Sequence, residues 1–406
     1  MISFDNTEYA FAYKTDKELK KAGFLFSCMG RQWLVNMGTR LTPWAVKWNL
    51  PFVKPIVRST IFSQFVGGET LEETAKVADK LEAFNVQVIL DYGVEGKEGE
   101  DNFDHACQEF IRVINYAGTQ QNIPFISIKV TGFARFALLE KLDTLMTAGS
   151  ETLMKRYVKA IESLSEEEKA EWQRVVVRMK NICNVAAAQK IGVLVDAEET
   201  WIQDPVDALT ILMMDEMNKN RVVVYNTVQL YRHDRLQFLK DMHEAAISRD
   251  FILGAKLVRG AYMEKERKRS VELNYPSPIQ PSKASTDEDY NDAVIFCMEH
   301  LKNIAVIVAS HNEQSNLLTV QLMNEKTIPH HHPHVHFSQL YGMSDNITFN
   351  LAKQGCHVSK YLPFGPIGDV VPYLMRRARE NSSVSGQTGR ELGLIKKELE
   401  RRKRVS

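Results

Sequence analysis

The 406-residue sequence lacks the motifs that mark several common enzyme classes. It contains no GxGxxG, Walker A, HExxH or GxSxG motif, so a Rossmann dinucleotide site, a P-loop, a zinc protease and an α/β-hydrolase are not supported. The five cysteines are dispersed and form no CxxC pair. This usage is typical of reduced thiols in the cytosol, and it predicts neither a disulfide framework nor a metal site.

The sequence also lacks an excess of charge of one sign and any long apolar run. Lys+Arg and Asp+Glu both number 51, which argues against a nucleic-acid partner. Stretches such as 222–225 and 305–309 are far too short to span a bilayer. The first 21 residues have no cationic segment followed by an apolar one, and they are too acidic for a transit peptide. We therefore expect a cytoplasmic protein.

Short β-branched runs alternate with longer helical patterns from residue 86 onwards. Eight such runs are present, each followed by a helical stretch, at 86–92, 126–130, 192–196, 222–230, 252–258, 305–311, 334–341 and 357–362. Strict strand–helix alternation predicts a parallel sheet, and eight units are the closure number of a (β/α)₈, TIM-like barrel. A doubly wound open sheet is the alternative.

The regions outside the alternating pattern suggest additional helices. Residues 14–80 read as helical and carry Trp33, Trp44 and Trp48. We divide the chain into an N-terminal helical arm (1–82), a catalytic barrel (83–385) and a basic C-terminal tail (386–406). Residues 390–406 hold seven Lys/Arg and three Asp/Glu. This composition fits a solvated terminal helix or a weak contact with anionic lipid.

Polar or aromatic residues end all eight predicted strands, which is where a barrel places its active site. The fifth strand is the most informative. Lys256 occupies a barrel-facing position, so it needs either an anionic or electron-rich ligand or a buried carboxylate. Arg259 follows it, and Gly260 allows the backbone to come close to a flat or anionic ligand.

The last predicted helix of the barrel combines Tyr373, Arg376, Arg377 and Glu380 at spacings of three and four residues. Adjacent arginines can bind a carboxylate or a phosphate, one of them through two hydrogen bonds. The alternative is a solvated basic helix with one ion pair. The histidine-rich segment 330–336 lies before the seventh strand, away from the proposed site, and is interpreted as a loop with incidental histidines.

Two segments resemble the FAD-dependent proline dehydrogenase family. Residues 256–264 are similar to its KLVRGAY strand, and residues 361–383 to its YLPxGxxxxxxPYLxRRxxENSS signature. Lys129, the Val-Asp-Ala-Glu run at 195–198, Gln229, His311-Asn312 and the segment 339–343 follow in the family's order. The resemblance covers roughly residues 85–385 and points to the monofunctional bacterial form, because no residues remain for the aldehyde dehydrogenase domain of the bifunctional relatives.

The resemblance implies a barrel that binds FAD and oxidises L-proline to Δ¹-pyrroline-5-carboxylate, with hydride passing from proline C5 to flavin N5 and electrons then passing to a membrane quinone. It implies substrate-site roles for Lys129, Asp196, Tyr262, Leu340, Tyr361, Tyr373, Arg376 and Arg377. It implies FAD-binding roles for Gln229, Lys256, Val258, Arg259, Gly260, Ala261, His311, Asn312 and Glu380. A peripheral contact with the inner face of the membrane is expected from the quinone acceptor.

Two other functions remain open from the residues alone. A barrel aldolase or lyase would form a Schiff base through Lys129 or Lys256. A non-catalytic barrel would bind an amino acid through Arg376 and Arg377 and would need no flavin.

Overall fold

Eight parallel strands form a closed barrel in chain order, which confirms the predicted (β/α)₈ architecture over the open sheet. The computed structural model describes residues 3–48, 50–93, 98–147, 151–383 and 387–405, except the side chains of 380–383, 387 and 405. The strands are β1 (Gln87–Tyr92), β2 (Phe125–Ile128), β3 (Gly192–Val195), β4 (Val224–Gln229), β5 (Leu253–Val258), β6 (Ile304–Ala309), β7 (Val335–Leu340) and β8 (Val358–Phe364).

The strands form where short β-branched runs can be buried on both faces. Every residue of β3 and β4 is buried, as is typical of a parallel sheet covered by helices. The register is continuous within the neighbouring pairs, with Leu253 opposite Ile304 and Leu340 opposite Tyr361. All eight predicted strands are present, and their bounds differ from the predicted ones by at most two residues.

Helices precede, follow and surround the strands. The N-terminal helices are α1 (Thr7–Phe11), α2 (Asp16–Met29), α3 (Gln32–Lys47), α4 (Val53–Val57), α5 (Ser63–Phe65) and α6 (Leu71–Glu82). The later helices are α7 (Glu100–Gly118), α8 (Phe136–Met146), α9 (Leu153–Glu162), α10 (Glu166–Gln189), α11 (Thr200–Met217), α12 (Arg235–Ser248), α13 (Met263–Glu272), α14 (Lys283–Glu299), α15 (Glu313–Glu325), α16 (Asp345–Lys353), α17 (Ile367–Ser383) and α18 (Gln387–Val405). None of the helices among the described residues is long and apolar enough to span a bilayer.

Helix α13 is the element that the sequence pattern does not reveal. Its ten residues are mostly charged, and only Glu266 and Ser270 are buried, so no apolar stripe marks it. Glu266 accepts hydrogen bonds from the backbone N–H and the hydroxyl of Thr200 at 2.8 and 2.7 Å. By contrast, α10 begins with a recognisable sequence signal, because Ser165 and Glu168 form a complete capping box.

By its internal contacts the chain divides into two units, residues 1–95 with 337–406 and residues 96–336. In the first unit an apolar cluster joins α2, α3, α17 and α18, with Phe26, Val46, Leu374 and Ile395 among its buried members. The predicted tail is thus a helix packed on α2. Its Arg401 and Arg402 both pair with the buried carboxylate of Glu398.

A buried charged cluster lies beside β8 in the same unit. Lys360 is fully buried, and its Nζ lies 2.9 Å from Oδ1 of Asp345 and donates to the carbonyl oxygen of Met343 at 2.5 Å. Asp345 Oδ2 accepts from Lys14 Nζ at 2.9 Å and from the hydroxyl of Tyr13 at 2.7 Å. Although burial raises the pKa of Asp345, the two lysines outweigh it and hold that pKa at about 2. The cluster therefore carries a fixed negative charge between two cations.

Glu391 of α18 joins this cluster and should make stability depend on pH. Its carboxylate accepts from the backbone N–H of Ser344 at 2.6 Å. Burial, reinforced by the charge of Asp345, raises the pKa of Glu391 to about 7 from the usual 4.5. A carboxyl with a raised pKa favours folding while it is protonated, and this contribution is lost as the pH rises through about 7.

We predict that Glu391→Gln becomes progressively more stable relative to the parent protein between pH 5 and pH 8. The amide keeps the acceptor for Ser344 but cannot ionise, and the relative gain is on the order of 3 kcal/mol. Denaturant unfolding at pH 5, 6, 7 and 8 measures it. Glu400→Gln, an exposed position on the same helix, controls for the loss of a carboxylate. A stability difference that does not change with pH would contradict the assignment.

Candidate active site

The cation predicted at a barrel-facing position of β5 is matched by a carboxylate. Lys256 is 5% exposed, and its Nζ forms an ion pair with Asp196, which directly follows β3. The backbone N–H of Asp196 donates to the carbonyl oxygen of Ile128 at 2.9 Å, so the end of β2 fixes its position. Lys256 therefore has a half-buried carboxylate partner, and Asp196 positions this lysine.

A second buried carboxylate follows Asp196 by two residues. Burial raises the pKa of Glu198 to about 7, although Lys129 and Thr131 act to lower it. Thr131 Oγ1 lies 2.9 Å from both carboxylate oxygens. The side-chain amide of Gln229 donates to the carbonyl oxygen of Glu198 at 2.8 Å. Lys129 and Gln229 come from different predicted strand ends. Both interact with Glu198, Lys129 through its charge and Gln229 through a hydrogen bond.

Arg259 is held by three oxygens and an aromatic ring. Its guanidinium donates to Asp287 at 2.7 Å, to the hydroxyl of Ser310 at 2.7 Å and to that of Ser315 at 3.0 Å. The guanidinium carbon lies 4.3 Å from the centroid of the Tyr290 ring. These contacts fix a half-buried cation beside the first turn of α15.

The first turn of α15 is capped by one of the predicted residues. Asn312 is the N-cap, and its Oδ1 accepts from the backbone N–H of Ser315 at 3.1 Å. His311, half-buried, directly precedes it. A helix N-terminus beside a fixed arginine favours the binding of an anion such as a phosphate group.

The backbone after Arg259 adopts a conformation that requires glycine. Gly260 has a φ of +132°, and a Cβ at this position would lie 2.5 Å from the ring of Tyr231. Gly260 and Ala261 are exposed, and Tyr262 is half-buried at the start of α13. The segment from Val258 to Ala261 therefore presents open backbone next to a cation, as the sequence predicts.

The arginines of α17 lie in the other unit. Arg377 is buried, and its guanidinium carbon lies 5.3 Å from the centroid of the Tyr373 ring, which is also buried. Arg376 is half-buried. The expected stripe is thus partly enclosed, unlike that of a solvated basic helix. The side chain of Glu380 lies outside the described residues.

Two further predicted residues of this unit are neighbours across β7 and β8. Leu340 is paired with Tyr361, and the N–H of Tyr341 donates to the carbonyl oxygen of Tyr361 at 2.9 Å. Leu340 and Tyr361 are half-buried although the residues around them are buried. Both side chains are therefore partly accessible, Leu340 at the end of β7 and Tyr361 in the middle of β8.

Sequence reasoning missed Asp287, Tyr290 and Ser315, three of the four residues that hold Arg259. Asp287 and Tyr290 lie on α14, about 30 positions after the arginine, and no local pattern connects them. Ser315 could have been found, because Asn312 and Ser315 have the spacing of an N-cap and its third helical residue.

In the histidine-rich segment, His334 Nδ1 lies 2.7 Å from the carbonyl oxygen of Leu301. No potential metal-binding cluster occurs among the described residues.

Comparison with known proteins identifies a family for this arrangement. Residues 74–390 match the sequence model of the family described as "Proline dehydrogenase". The carbapenem antibiotics biosynthesis protein CarD of Pectobacterium carotovorum is 36% identical over 344 residues, which cover 85% of each chain. Mitochondrial proline dehydrogenase 1 of Dictyostelium discoideum is 32% identical over 374 residues, covering 85% of this chain and 65% of that relative.

A hydroxyproline dehydrogenase of Xenopus laevis is also similar, at 31% identity over 385 residues, with 90% of this chain and 80% of the relative covered. Among solved structures, proline utilization A (PutA) from Bdellovibrio bacteriovorus, inactivated by N-propargylglycine, superimposes with a TM-score of 0.70 at 18% identity. The match covers 94% of this chain, which spans 36% of that PutA chain. This likeness supports the barrel fold.

Proposed function

The chain belongs to the proline dehydrogenase family, and we propose that it oxidises L-proline to Δ¹-pyrroline-5-carboxylate with FAD as the electron acceptor, as the first step of proline catabolism. The observation that carries the substrate assignment is the buried Arg377 over the ring of Tyr373, with Arg376 beside it. Guanidinium groups fixed by an aromatic ring are suited to bind the carboxylate of an amino acid.

The substrate roles follow the family resemblance residue by residue. In one unit, Arg376 and Arg377 bind the carboxylate, while Leu340, Tyr361 and Tyr373 pack against the pyrrolidine ring. In the other unit, Lys129 and Tyr262 have the corresponding roles by resemblance. The half-buried Tyr361 and Leu340, which are paired across β7 and β8, supply accessible apolar surface. Asp196 acts through Lys256, with which it forms an ion pair.

The residues after β5 fit the binding of FAD. Open backbone at Gly260 and Ala261 allows close approach, and Arg259 beside the capped N-terminus of α15 suits a pyrophosphate. The residues that would hold the cofactor are Gln229, Lys256, Val258, Arg259, Gly260, Ala261, His311, Asn312 and Glu380. When bound, FAD would accept at N5 the hydride that leaves C5 of proline. The ammonium group of Lys256 would stabilise negative charge on the flavin ring.

We further propose that the electrons pass to a membrane quinone. A quinone dissolved in the bilayer requires an enzyme that meets the membrane surface, so we place the protein in the cytoplasm with a peripheral contact at the inner face of the membrane.

A visible spectrum of the purified protein tests the proposed function. We expect a yellow protein whose flavin absorbance is bleached by anaerobic L-proline and restored by a quinone analogue. A colourless protein that traps substrate with borohydride would instead support the lyase with a Schiff-base lysine. A protein that binds proline without flavin and reduces no acceptor would support a non-catalytic barrel.

We predict that Arg376→Met and Arg377→Met each raise the KM for proline by tens-fold or more. Each charge-assisted hydrogen bond to the carboxylate contributes about 1.5–3 kcal/mol, and methionine removes the donors. Steady-state kinetics with one electron acceptor measure the effect, and thermal melting checks the fold. Arg379→Met, an exposed position on the same helix, is the matched control. A KM close to that of the parent in both variants would exclude these residues from the substrate site.

We predict that proline is strongly preferred over trans-4-hydroxyproline and that Tyr361→Ser narrows the difference. An aromatic wall leaves little room for the extra hydroxyl, at a cost of ~1–3 kcal/mol or about 10- to 200-fold in kcat/KM. The measurement is kcat/KM for both substrates in the parent, in Tyr361→Ser and in Tyr361→Phe, which keeps the ring. An unaltered ratio in the serine variant would argue that Tyr361 only packs β8.

A further inference from the structure

One face of α3 carries large apolar side chains that are exposed to solvent. Trp33, Met37, Leu41, Trp44 and Trp48 follow one another at spacings of four, four, three and four residues, which is one stripe of a helix. Trp33 is 64% exposed, Trp44 55% and Trp48 67%. Phe52 and Ile56, at the start of α4 and within it, are also exposed apolar residues. We call these seven residues the tryptophan face. Apolar patches of this kind on a soluble protein mark an interaction surface.

The opposite face of α3 is packed in the core of its unit. Val35 and Val46 belong to the same buried cluster as Val371 and Leu374 of α17. Helices α3 and α17 are in direct contact. One apolar face of α3 is therefore buried in the fold, whereas the tryptophan face remains exposed in the described part of the chain.

The charge of this region identifies the kind of partner. No Asp or Glu occurs between residues 19 and 68, whereas seven basic residues do: Lys20, Lys21, Arg31, Arg40, Lys47, Lys54 and Arg58. All seven are exposed. Arg58 pairs with Glu69 and Glu73, but within the described residues Arg31, Arg40, Lys47 and Lys54 form no ion pair. Tryptophan with lysine and arginine is the composition of a helix that lies in a membrane interface.

We propose that the tryptophan face docks on the surface of a bilayer that contains anionic lipid. The indole rings would enter the headgroup region, and the basic residues would meet lipid phosphates. This proposal deepens the proposed function, on which it rests through the quinone acceptor. Because α3 packs on α17, docking would leave the helix that bears Arg376 and Arg377 one helix layer from the lipid.

The charge also argues against a second copy of the chain as the occupant. A two-fold interface presents the same patch on both subunits, so the basic residues of one copy would face those of the other. The net charge of the segment, seven basic and no acidic residues, makes that pairing unfavourable. An anionic bilayer covers the apolar stripe and neutralises the charge at the same time.

Sedimentation of the full chain with vesicles tests the proposal. We expect binding to vesicles of phosphatidylcholine with phosphatidylglycerol and much weaker binding to phosphatidylcholine alone. The double variant Trp33→Ser/Trp44→Ser should bind about tenfold less or weaker still. In Arg40→Gln/Lys47→Gln the loss should be roughly fivefold for each basic residue removed. Val271→Ser/Leu273→Ser, which changes exposed apolar residues of the other unit, should bind like the parent.

The outcomes separate this surface from the proposed activity, because vesicle binding needs neither substrate nor flavin. Proline oxidation with a soluble acceptor should be the same in the parent and in all three double variants. If the parent protein is inactive but still binds vesicles through the tryptophan face, the proposed activity is contradicted and the docking surface is supported. An active parent that ignores anionic vesicles, or a tryptophan variant that binds them equally, would overturn the docking surface. A dimer of the parent that the tryptophan variant abolishes would overturn it in favour of a second copy.

Discussion

The buried ion pair between Lys360 and Asp345 is the interaction on which the first unit depends. A lysine with no exposure on β8 is unfavourable unless a carboxylate meets it, and Asp345 of α16 does so at 2.9 Å. The same carboxylate holds Lys14, while Glu391 of α18 holds the neighbouring Ser344. Residues near both chain ends are therefore tied to the start of α16, which is itself joined to β8 through Lys360. Removing one partner of such a pair typically costs about 3–5 kcal/mol, because the other charge stays buried.

In the proposed site, too, cationic side chains are held in place by carboxylates. Lys256 is fixed by Asp196, and Arg259 is fixed by Asp287. Each cation is thus positioned before any ligand arrives, which lowers the entropy that binding must overcome. Tyr361 follows Lys360 directly, so the buried pair that stabilises β8 also orders the residue assigned to the pyrrolidine ring. In this unit, the ion pair between Lys360 and Asp345 therefore contributes both to stability and to the position of a proposed site residue.

The barrel could be predicted from sequence because its signal is local. Each buried strand is a short β-branched run, and a helix such as α7, α12 or α15 follows its strand as the alternating pattern predicts. The partners of the predicted cations could not be predicted to the same degree. Asp196 was expected near the site, but its contact with Lys256 joins residues 60 positions apart, and that of Arg259 with Asp287 joins residues 28 apart. Helix α13 was missed since a helix stabilised by ion pairs and by one buried carboxylate has no apolar period.

The zero net charge of this chain conceals an uneven distribution of basic and acidic residues along the sequence. Equal numbers of basic and acidic residues sum to zero, yet residues 19–68 hold seven basic and no acidic residues, leaving 44 basic against 51 acidic elsewhere. The C-terminal helix looks more basic to the eye, but Glu398 occupies Arg401 and Arg402, and Asp16 also binds Arg402. Two of its arginines are therefore paired within the fold. In the N-terminal segment Arg31, Arg40, Lys47 and Lys54 are exposed near exposed indole rings, so this segment is the better candidate for a membrane contact.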